Sequence, residues 1–279
     1  MATFQKWKLL NNITLIKRIT ISILLLYLQK KDMIESVKNR RSIRKYKQQD
    51  VDPNLLNDLL FTASRVSTIG NMQVYSVVVT RDAEMKAKLA PAHFNQPMVK
   101  GAPVVLTFCA DFNRFTKWCE FRNAKPGYAN FLSFMNAATD ALLYTQNFCT
   151  LAEEEGLGIC YLGTVIYNPQ QIIETLHLPN LVFPIATITL GYPDECPGQS
   201  DRLPIEAIVH EERYCDYTSE MIDKLYAFKE SLPENKQFIA ENNKETLAQV
   251  FTDVRYKKND NEFMSDNFFK ALKQQGFIE

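Results

Sequence analysis

The sequence lacks the charge imbalance and the cysteine and histidine clusters that mark several large classes of protein. Its 32 Lys plus Arg balance 32 Asp plus Glu, so no global field draws the chain to nucleic acid or to anionic lipid. Three histidines and six cysteines without a C-x-x-C pair predict neither a zinc site nor a dense disulfide framework. We therefore expect no metal, no nucleic-acid partner, and reduced thiols in a cytoplasmic protein.

Glycine is also scarce, and the nine glycines do not form a phosphate-binding loop. Gly156, Gly158 and Gly163 have the wrong spacing for the dinucleotide motif G-x-G-x-x-G, and no Walker A sequence is present. A Rossmann-type NAD domain and a P-loop domain are therefore unsupported. Any bound phosphate has to be held by a local group of side chains.

No apolar run in the N-terminal part is long enough to cross a membrane. The run at 19–28 has ten residues, whereas a bilayer span needs about 20. The Gln-Lys-Lys-Asp that follows does not resemble a signal-peptide cleavage site. We expect residues 1–32 to be an N-terminal extension outside a domain at 33–279, without membrane association. The alternative for this stretch, given its basic flanks, is a short helix on a membrane surface.

The remaining sequence, in a chain that is 46% hydrophobic, predicts an α+β domain. Strands are predicted at 74–80, 104–110 and 183–191, the second of them central. Helices are predicted from Pro53 with Asp52 as cap, from Phe131 to Ala152 through the core, from Pro169 to Leu176, and at 267–275. We expect a mobile surface excursion at 111–128, and helices with little core of their own beyond Tyr217.

Some reactive or aromatic side chains have an ordinary structural interpretation. His93, His177 and His210 are far apart and are expected to be surface or core residues. Cys109 lies in an apolar strand and is expected to be inert. Phe131 and Phe134 fall on the stripe of the long helix and are expected to be core.

The densest chemical feature is the segment 38–47, which has six basic side chains and no acid. Three interpretations are open: a solvated face, an arm that binds nucleic acid, or a phosphate site. In the phosphate site, Arg41, Ser42 and Arg44 would donate charge-assisted hydrogen bonds to the phosphate. We favour the phosphate site, because a duplex backbone needs a footprint spread over a larger surface.

The octapeptide N-R-R-S-I-R-K-Y, at 39–46, resembles the opening motif of the FMN-dependent nitroreductase family, in its NADPH-preferring, oxygen-insensitive nitroreductase and flavin reductase branch. Further similar segments follow in the same order, and the resemblance covers essentially 33–279. These are Ser67–Gln73, Gln96, Phe108–Arg114, Gly156–Gly163, Gly191–Pro193, Arg202–Pro204 and the Q-Q-G-F that ends at Phe277. The resemblance implies a nitroreductase-like α+β fold, with a central mixed antiparallel sheet flanked by helices, a long core helix and a helical C-terminal excursion, in a homodimer.

The resemblance also implies which residues bind the cofactor. Arg41, Ser42 and Arg44 would hold the FMN phosphate. Arg40 would lie beside them, and Arg202 would be a second basic contact to the cofactor. Ser67, Thr68 and Ile69 would border the ring from across the dimer interface, and Gln73 and Gln96 would contact the ring or the ribityl group. The reactive edge would be lined by Tyr161, Leu162, Gly163 and Thr164, and Lys244 would meet the 2′-phosphate of NADPH. No side chain is assigned as catalytic, because FMN carries the chemistry.

Three departures from the pattern bear on the electron donor. Gly163-Thr164 stands where relatives often have two glycines, and Ser200 stands where they usually have Lys. Lys244 lies where relatives use Arg, so the positive charge is kept but the bidentate hydrogen bonding of a guanidinium to phosphate is lost. Discrimination between NADPH and NADH is therefore expected to be weak.

The implied function is that of an FMN-dependent NAD(P)H oxidoreductase that transfers hydride by a ping-pong mechanism to a small-molecule acceptor, a nitroaromatic or a quinone. One alternative is a flavin reductase on the same fold. A third hypothesis, from a different class, is a colourless anion- or nucleic-acid-binding protein that uses the basic arm from Lys38 to Lys47.

Overall fold

A computed structural model describes residues 35–279, so the predicted extension at 1–32 lies outside the described residues. The centre is one antiparallel sheet of four strands in the order β1-β2-β4-β3. The strands are β1 (Tyr75–Thr80), β2 (Val104–Asp111), β3 (Gly158–Leu162) and β4 (Val182–Gly191). Helices and strands alternate irregularly, which confirms the predicted α+β class.

Ten α-helices between residues 53 and 279 surround this sheet. They are α1 (Pro53–Ala63), α2 (Ala83–Leu89), α3 (Pro97–Gly101), α4 (Asn113–Glu120), α5 (Phe131–Glu154), α6 (Pro169–Leu176), α7 (Ser219–Ser231), α8 (Pro233–Glu241), α9 (Leu247–Val250) and α10 (Lys258–Gln274). Shorter 3₁₀ turns occur at Ile69–Asn71, Ala90–His93, Gly163–Ile166 and Ile205–Ala207, and a π-helical turn at Phe251–Arg255. Between residues 35 and 279, none of the helices has the length and apolar character needed to span a bilayer.

The two interior strands, β2 and β4, are buried along their whole length. This confirms the central position predicted for β2 from its continuous apolar run. Strand β3 is absent from the sequence prediction, because its five residues begin with a glycine and give too short a pattern. All strand pairs in the sheet are antiparallel. A parallel bridge between Ser42 and Ile159 adds the mixed character at the β3 edge.

The long helix α5 forms as predicted and packs across the sheet. The Asn130 side chain caps it by accepting from the Ser133 N–H, and it ends just before Gly156, which has φ +75°. Phe134 and Phe148 are buried on its inner face. The core assignment of Phe131 is wrong, because this residue starts the helix and remains 47% exposed.

The excursion expected at 111–128 contains an ordered helix, α4, so the prediction of a purely mobile loop is wrong. The Asp111 side chain accepts from the Arg114 N–H at 3.1 Å at the start of this helix. Phe112 is buried and stacks on Tyr128, with ring centroids 4.7 Å apart. These two aromatic residues, which flank α4 in the sequence, hold the helix in place. Because they lie outside α4, no periodic pattern within the helix indicates this contact.

The C-terminal helices divide into a part that packs on the body and a part that extends away from it. Leu272 and Phe277, in and after α10, are fully buried, and Phe268 contacts Phe134 and Phe183. By contrast, α7 and α8 have mostly exposed side chains. The predicted helical excursion therefore corresponds to α7 and α8, whereas α10 contributes to the core.

Two glycines permit the close approach of the extended segment 42–46 to the sheet. A Cβ on Gly158 would lie 2.7 Å from the Cβ of Ile43. A Cβ on Gly191 would lie 2.6 Å from Pro103 Cδ and 2.9 Å from Tyr46 Cδ1. Both positions therefore require glycine for packing.

We expect Gly158→Ala to destabilise the protein by about 1–3 kcal/mol, because the added methyl overpacks Ile43. Urea unfolding followed by circular dichroism measures the change. Gly163→Ala is the matched control, because a Cβ there would meet nothing within 4 Å. Equal stability of the Gly158→Ala variant and the unmodified protein would contradict this account of the packing.

Candidate cofactor site

The basic segment lies along the β3 edge of the sheet rather than projecting into solvent. Ser42 bridges Ile159 in parallel, and the Ile43 N–H donates to the Ile159 carbonyl at 2.9 Å. Four residues further on, Tyr46 bridges Pro193, and its buried hydroxyl donates to the Ile43 carbonyl at 2.6 Å. This pairing holds the segment against the β3 edge of the sheet.

The three arginines of this segment have different surroundings. Arg40 Nε donates to Glu153 Oε2 of α5 at 3.3 Å, so part of its charge is compensated. Arg44 lies beside the Cys160 thiol, whose pKa is raised by burial and lowered in part by this guanidinium. Arg41 Nη1 contacts Cys196 Sγ at 2.6 Å. Its Nε is buried and has no hydrogen-bond partner among the described residues.

A loop at 194–202 contacts the same segment through Glu195 and Gln199. Glu195 Oε1 accepts from the backbone N–H of Arg44 at 2.6 Å and of Lys45 at 3.1 Å. Gln199 donates to the Lys38 carbonyl at 2.6 Å. Arg202 follows three residues later, is exposed, and donates to the Asp201 carbonyl at 2.8 Å.

The end of β3 provides the second group of predicted site residues. The Tyr161 side chain is 45% exposed, whereas Leu162 is buried, so Leu162 can present only its backbone to a ligand. Gly163 faces open space and begins a 3₁₀ turn. The Thr164 hydroxyl lies 2.8 Å from His93 Nδ1, and the His93 carbonyl accepts from the Gln96 N–H at 3.1 Å. Gln96 and Thr164 are therefore brought close together.

The third group, from Ser67 to Gln73, precedes β1 and is fixed by one buried carboxylate of α5. Asp140 Oδ1 accepts from the Ile69 N–H at 2.9 Å, and its Oδ2 accepts from the Val74 N–H at 3.4 Å. Burial raises the pKa of Asp140, and these two hydrogen bonds oppose that rise. Ser67, Ile69 and Gln73 are exposed, and Thr68 is partly buried.

One chain does not bring this third group to the basic segment. Strand β1, which follows Ser67–Gln73, and strand β3 are the two opposite edges of the sheet. Three strand spacings separate them, which is about 14 Å. The predicted residues of one chain thus fall into two groups, here called half-sites, at opposite edges of the sheet.

Lys244 stands apart from both half-sites in the described chain. Its Nζ pairs with Asp253 Oδ2 at 2.8 Å, in the region of α8 and α9. This hydrogen bond lowers the pKa of Asp253. The structure therefore shows Lys244 engaged in a local ion pair.

Sequence reasoning missed three residues that organise the site: Asp140, Glu195 and His93. A signal existed for Asp140, which is the one carboxylate inside the apolar stripe of α5. No local pattern reveals Glu195, because its role depends on contact across 150 residues. His93 was expected to be an ordinary core or surface residue, and the structure shows it fully buried against Thr164.

Comparisons with known proteins identify the family of this chain. Residues 37–192 match the Nitroreductase family, and that match spans more than half of the sequence. The chain belongs to the nitroreductase family. It is 34% identical over 205 residues to the FMN reductase [NAD(P)H] of Bacillus subtilis (strain 168), covering 73% of this chain and 82% of that protein.

Two solved structures of this family extend the likeness to the fold. A crystal structure from Bacteroides fragilis NCTC 9343 is 71% identical and has a TM-score of 0.87, covering 88% of this chain and 100% of that one. The NfrA1 nitroreductase of B. subtilis is 27% identical with a TM-score of 0.76, covering 88% and 98%. These relatives confirm the family and the fold that the resemblance of the sequence implies, in the nitroreductase and flavin reductase branch.

Proposed function

We propose that this chain is an FMN-dependent NAD(P)H oxidoreductase that reduces nitroaromatics or quinones. The observation that carries the proposal is the basic segment along β3, where Arg41 keeps a buried N–H donor without an acceptor among the described residues. A phosphate oxygen would satisfy this donor and would be held by charge-assisted hydrogen bonds. The FMN reductase and nitroreductase relatives support the same assignment.

The half-site at β3 has the donors and the open space that FMN requires. Arg41, Ser42 and Arg44 would hold the phosphate, with Arg40 and Arg202 beside them. The open face of Gly163 would let the ring approach the backbone, since no Cβ stands in the way. When bound, FMN supplies hydride transfer between a nicotinamide and an electron acceptor.

The protein residues contribute binding, orientation and exclusion of water. Tyr161 and the turn from Gly163 to Ile166 would form one wall of the half-site, and the backbone of Gln96 is linked to that turn through His93. Nicotinamide and acceptor would occupy this wall in succession, which is the structural basis for ping-pong kinetics. The basic side chains of the half-site would offset the negative charge of the cofactor phosphate.

The proposal includes a homodimer in which the half-site before β1 completes the cofactor site of the other subunit. The support is an apolar stripe on α5 that faces away from the sheet: Leu132 is 71% exposed, Met135 45%, Leu142 43% and Leu143 44%. Their spacing places them on one face of the helix. Contiguous apolar surface of this kind marks a protein interface.

A flavin reductase that acts on free flavin is the second candidate, and the name of the B. subtilis relative favours it. Steady-state assays with a quinone, a nitroaromatic and free FMN as acceptors separate the two candidates. The binding-arm hypothesis has less support, because Glu35 and Glu153 pair with Lys38 and Arg40 in the basic segment.

We expect Arg44→Ala to leave a folded protein that retains less than about a tenth of its FMN, since a charge-assisted contact contributes 1.5–3 kcal/mol. The measurement is FMN per chain after dialysis, from the visible absorbance. Lys45→Ala is the matched control, because Lys45 is an exposed basic neighbour that is not among the predicted phosphate contacts. Full FMN occupancy in the Arg44→Ala protein would refute the phosphate assignment.

We expect Leu142→Glu to yield monomers, because it places a charge in the proposed apolar interface. Sedimentation equilibrium measures the mass, and FMN occupancy should fall with it, since each site would lose its second half. The control is Gln171→Glu, which adds the same charge at an exposed position of α6, outside the proposed interface on α5. A Leu142→Glu protein that remains dimeric would contradict the assignment of this face.

We expect Lys244→Ala to raise KM for NADPH more than KM for NADH, by about 3- to 10-fold, if Lys244 meets the 2′-phosphate. Asp253→Asn is the informative partner, because it releases Lys244 from its ion pair and should lower KM for NADPH. Initial rates at several concentrations of each donor give both constants. Equal changes for the two donors would remove this role from Lys244.

A further inference from the structure

His93 lies next to the proposed cofactor site, and the proposed function gives it no role. It is fully buried, and its Nδ1 lies 2.8 Å from the Thr164 hydroxyl. Its backbone carbonyl accepts from the Gln96 N–H at 3.1 Å. One residue therefore links two positions, Gln96 and Thr164, that come from separate parts of the sequence and border the proposed cofactor.

Further contacts join the same two turns. Asn168 Nδ2 donates to the Ala92 carbonyl at 3.1 Å, and the rings of Phe94 and Tyr167 lie 6.3 Å apart between centroids. The Tyr167 N–H in turn donates to the Thr164 carbonyl at 3.1 Å. The turn at 90–96 and the turn at 163–168 are thus held as one unit, with the His93 to Thr164 hydrogen bond at its buried centre.

Stability alone does not account for a histidine at this position. The surrounding cluster contains Leu89, Val99, Val165 and Ile172, all of them fully buried. The His93 Nε2 is buried without a hydrogen-bond partner among residues 35–279. An apolar side chain would avoid this desolvation penalty, since a buried polar atom without a partner is destabilising.

We propose that His93 is a positioning residue: its hydrogen bond to the Thr164 hydroxyl fixes the turn from Gly163 to Ile166 in the place where that turn borders the cofactor. The part that concerns the cofactor rests on the proposed function, whereas the part that concerns the turn does not. Burial lowers the pKa of His93 to about 4, so the ring is neutral at physiological pH and adds no charge to the site.

Thr164→Val tests the proposal with little change of shape, because it removes the hydroxyl and keeps the branched side chain. His93→Leu removes the other partner. Leu89→Ala is the matched control, since it creates a cavity in the same cluster without removing either partner. Each variant is compared with the unmodified protein by hydrogen exchange and by FMN titration.

We expect the amides of 163–168 to exchange about 5- to 10-fold faster in Thr164→Val and in His93→Leu, and the Kd for FMN to rise by a similar factor. The double variant should show no further increase, because the two changes remove one hydrogen bond. In Leu89→Ala, exchange at 163–168 should increase no more than in the rest of the cluster.

Unchanged exchange at 163–168 in Thr164→Val would overturn the proposal, as would an equal local increase in Leu89→Ala. If the unmodified protein fails to bind FMN, the proposed function fails, and the exchange measurement still decides whether His93 fixes the turn. If the turn loosens while FMN affinity stays constant, the positioning role towards the cofactor is refuted and the proposed function stands.

Discussion

The candidate site depends on the contact between the extended segment 42–46 and the edge of the sheet. Two glycines, Gly158 and Gly191, permit this contact, because any larger residue would collide with Ile43, Pro103 or Tyr46. The contact places Arg41, Ser42 and Arg44 beside β3. The loop at 194–202 then supplies Glu195 to the same edge. The charge of the site is therefore local, in a chain whose net charge is zero.

The division of the site between two edges of the sheet has a direct consequence for assembly. The residues before β1 and the residues along β3 cannot meet within one subunit, because β2 and β4 lie between them. A second subunit is the simplest way to unite the two half-sites, and the exposed apolar face of α5 provides a surface for it. In this account, cofactor binding and dimer formation are two aspects of one interface. Lys244 follows the α7 and α8 excursion, and its charge is paired with Asp253.

Much of the fold could be predicted from the sequence where an apolar periodicity extends over many residues or where a helix begins with a clear N-cap residue. Helix α5 has an apolar stripe over its whole length, and α1 begins with an aspartate followed by proline. Strand β3 could not be recognised, because five residues carry too little pattern and the strand is stabilised by its pairing with β4. Helix α4 was also missed, since Phe112 and Tyr128 meet only after the chain folds.

For the site, the order of the motifs was sufficient to indicate the family, whereas the phosphate contacts of the basic motif stay a prediction. The supporting residues are different in kind. Asp140, Glu195 and His93 act through contacts between segments that are 71 to 150 residues apart. Such contacts leave no local signal, so the geometry of the site required the structure.

The most direct test of the central claim is the visible absorption spectrum of the purified protein, with the released chromophore identified by its mass. The account predicts bound FMN, at about one per chain after reconstitution, held by the segment along β3. A colourless protein that does not take up added FMN would contradict the account, and would favour the interpretation of the basic segment as an anion-binding arm.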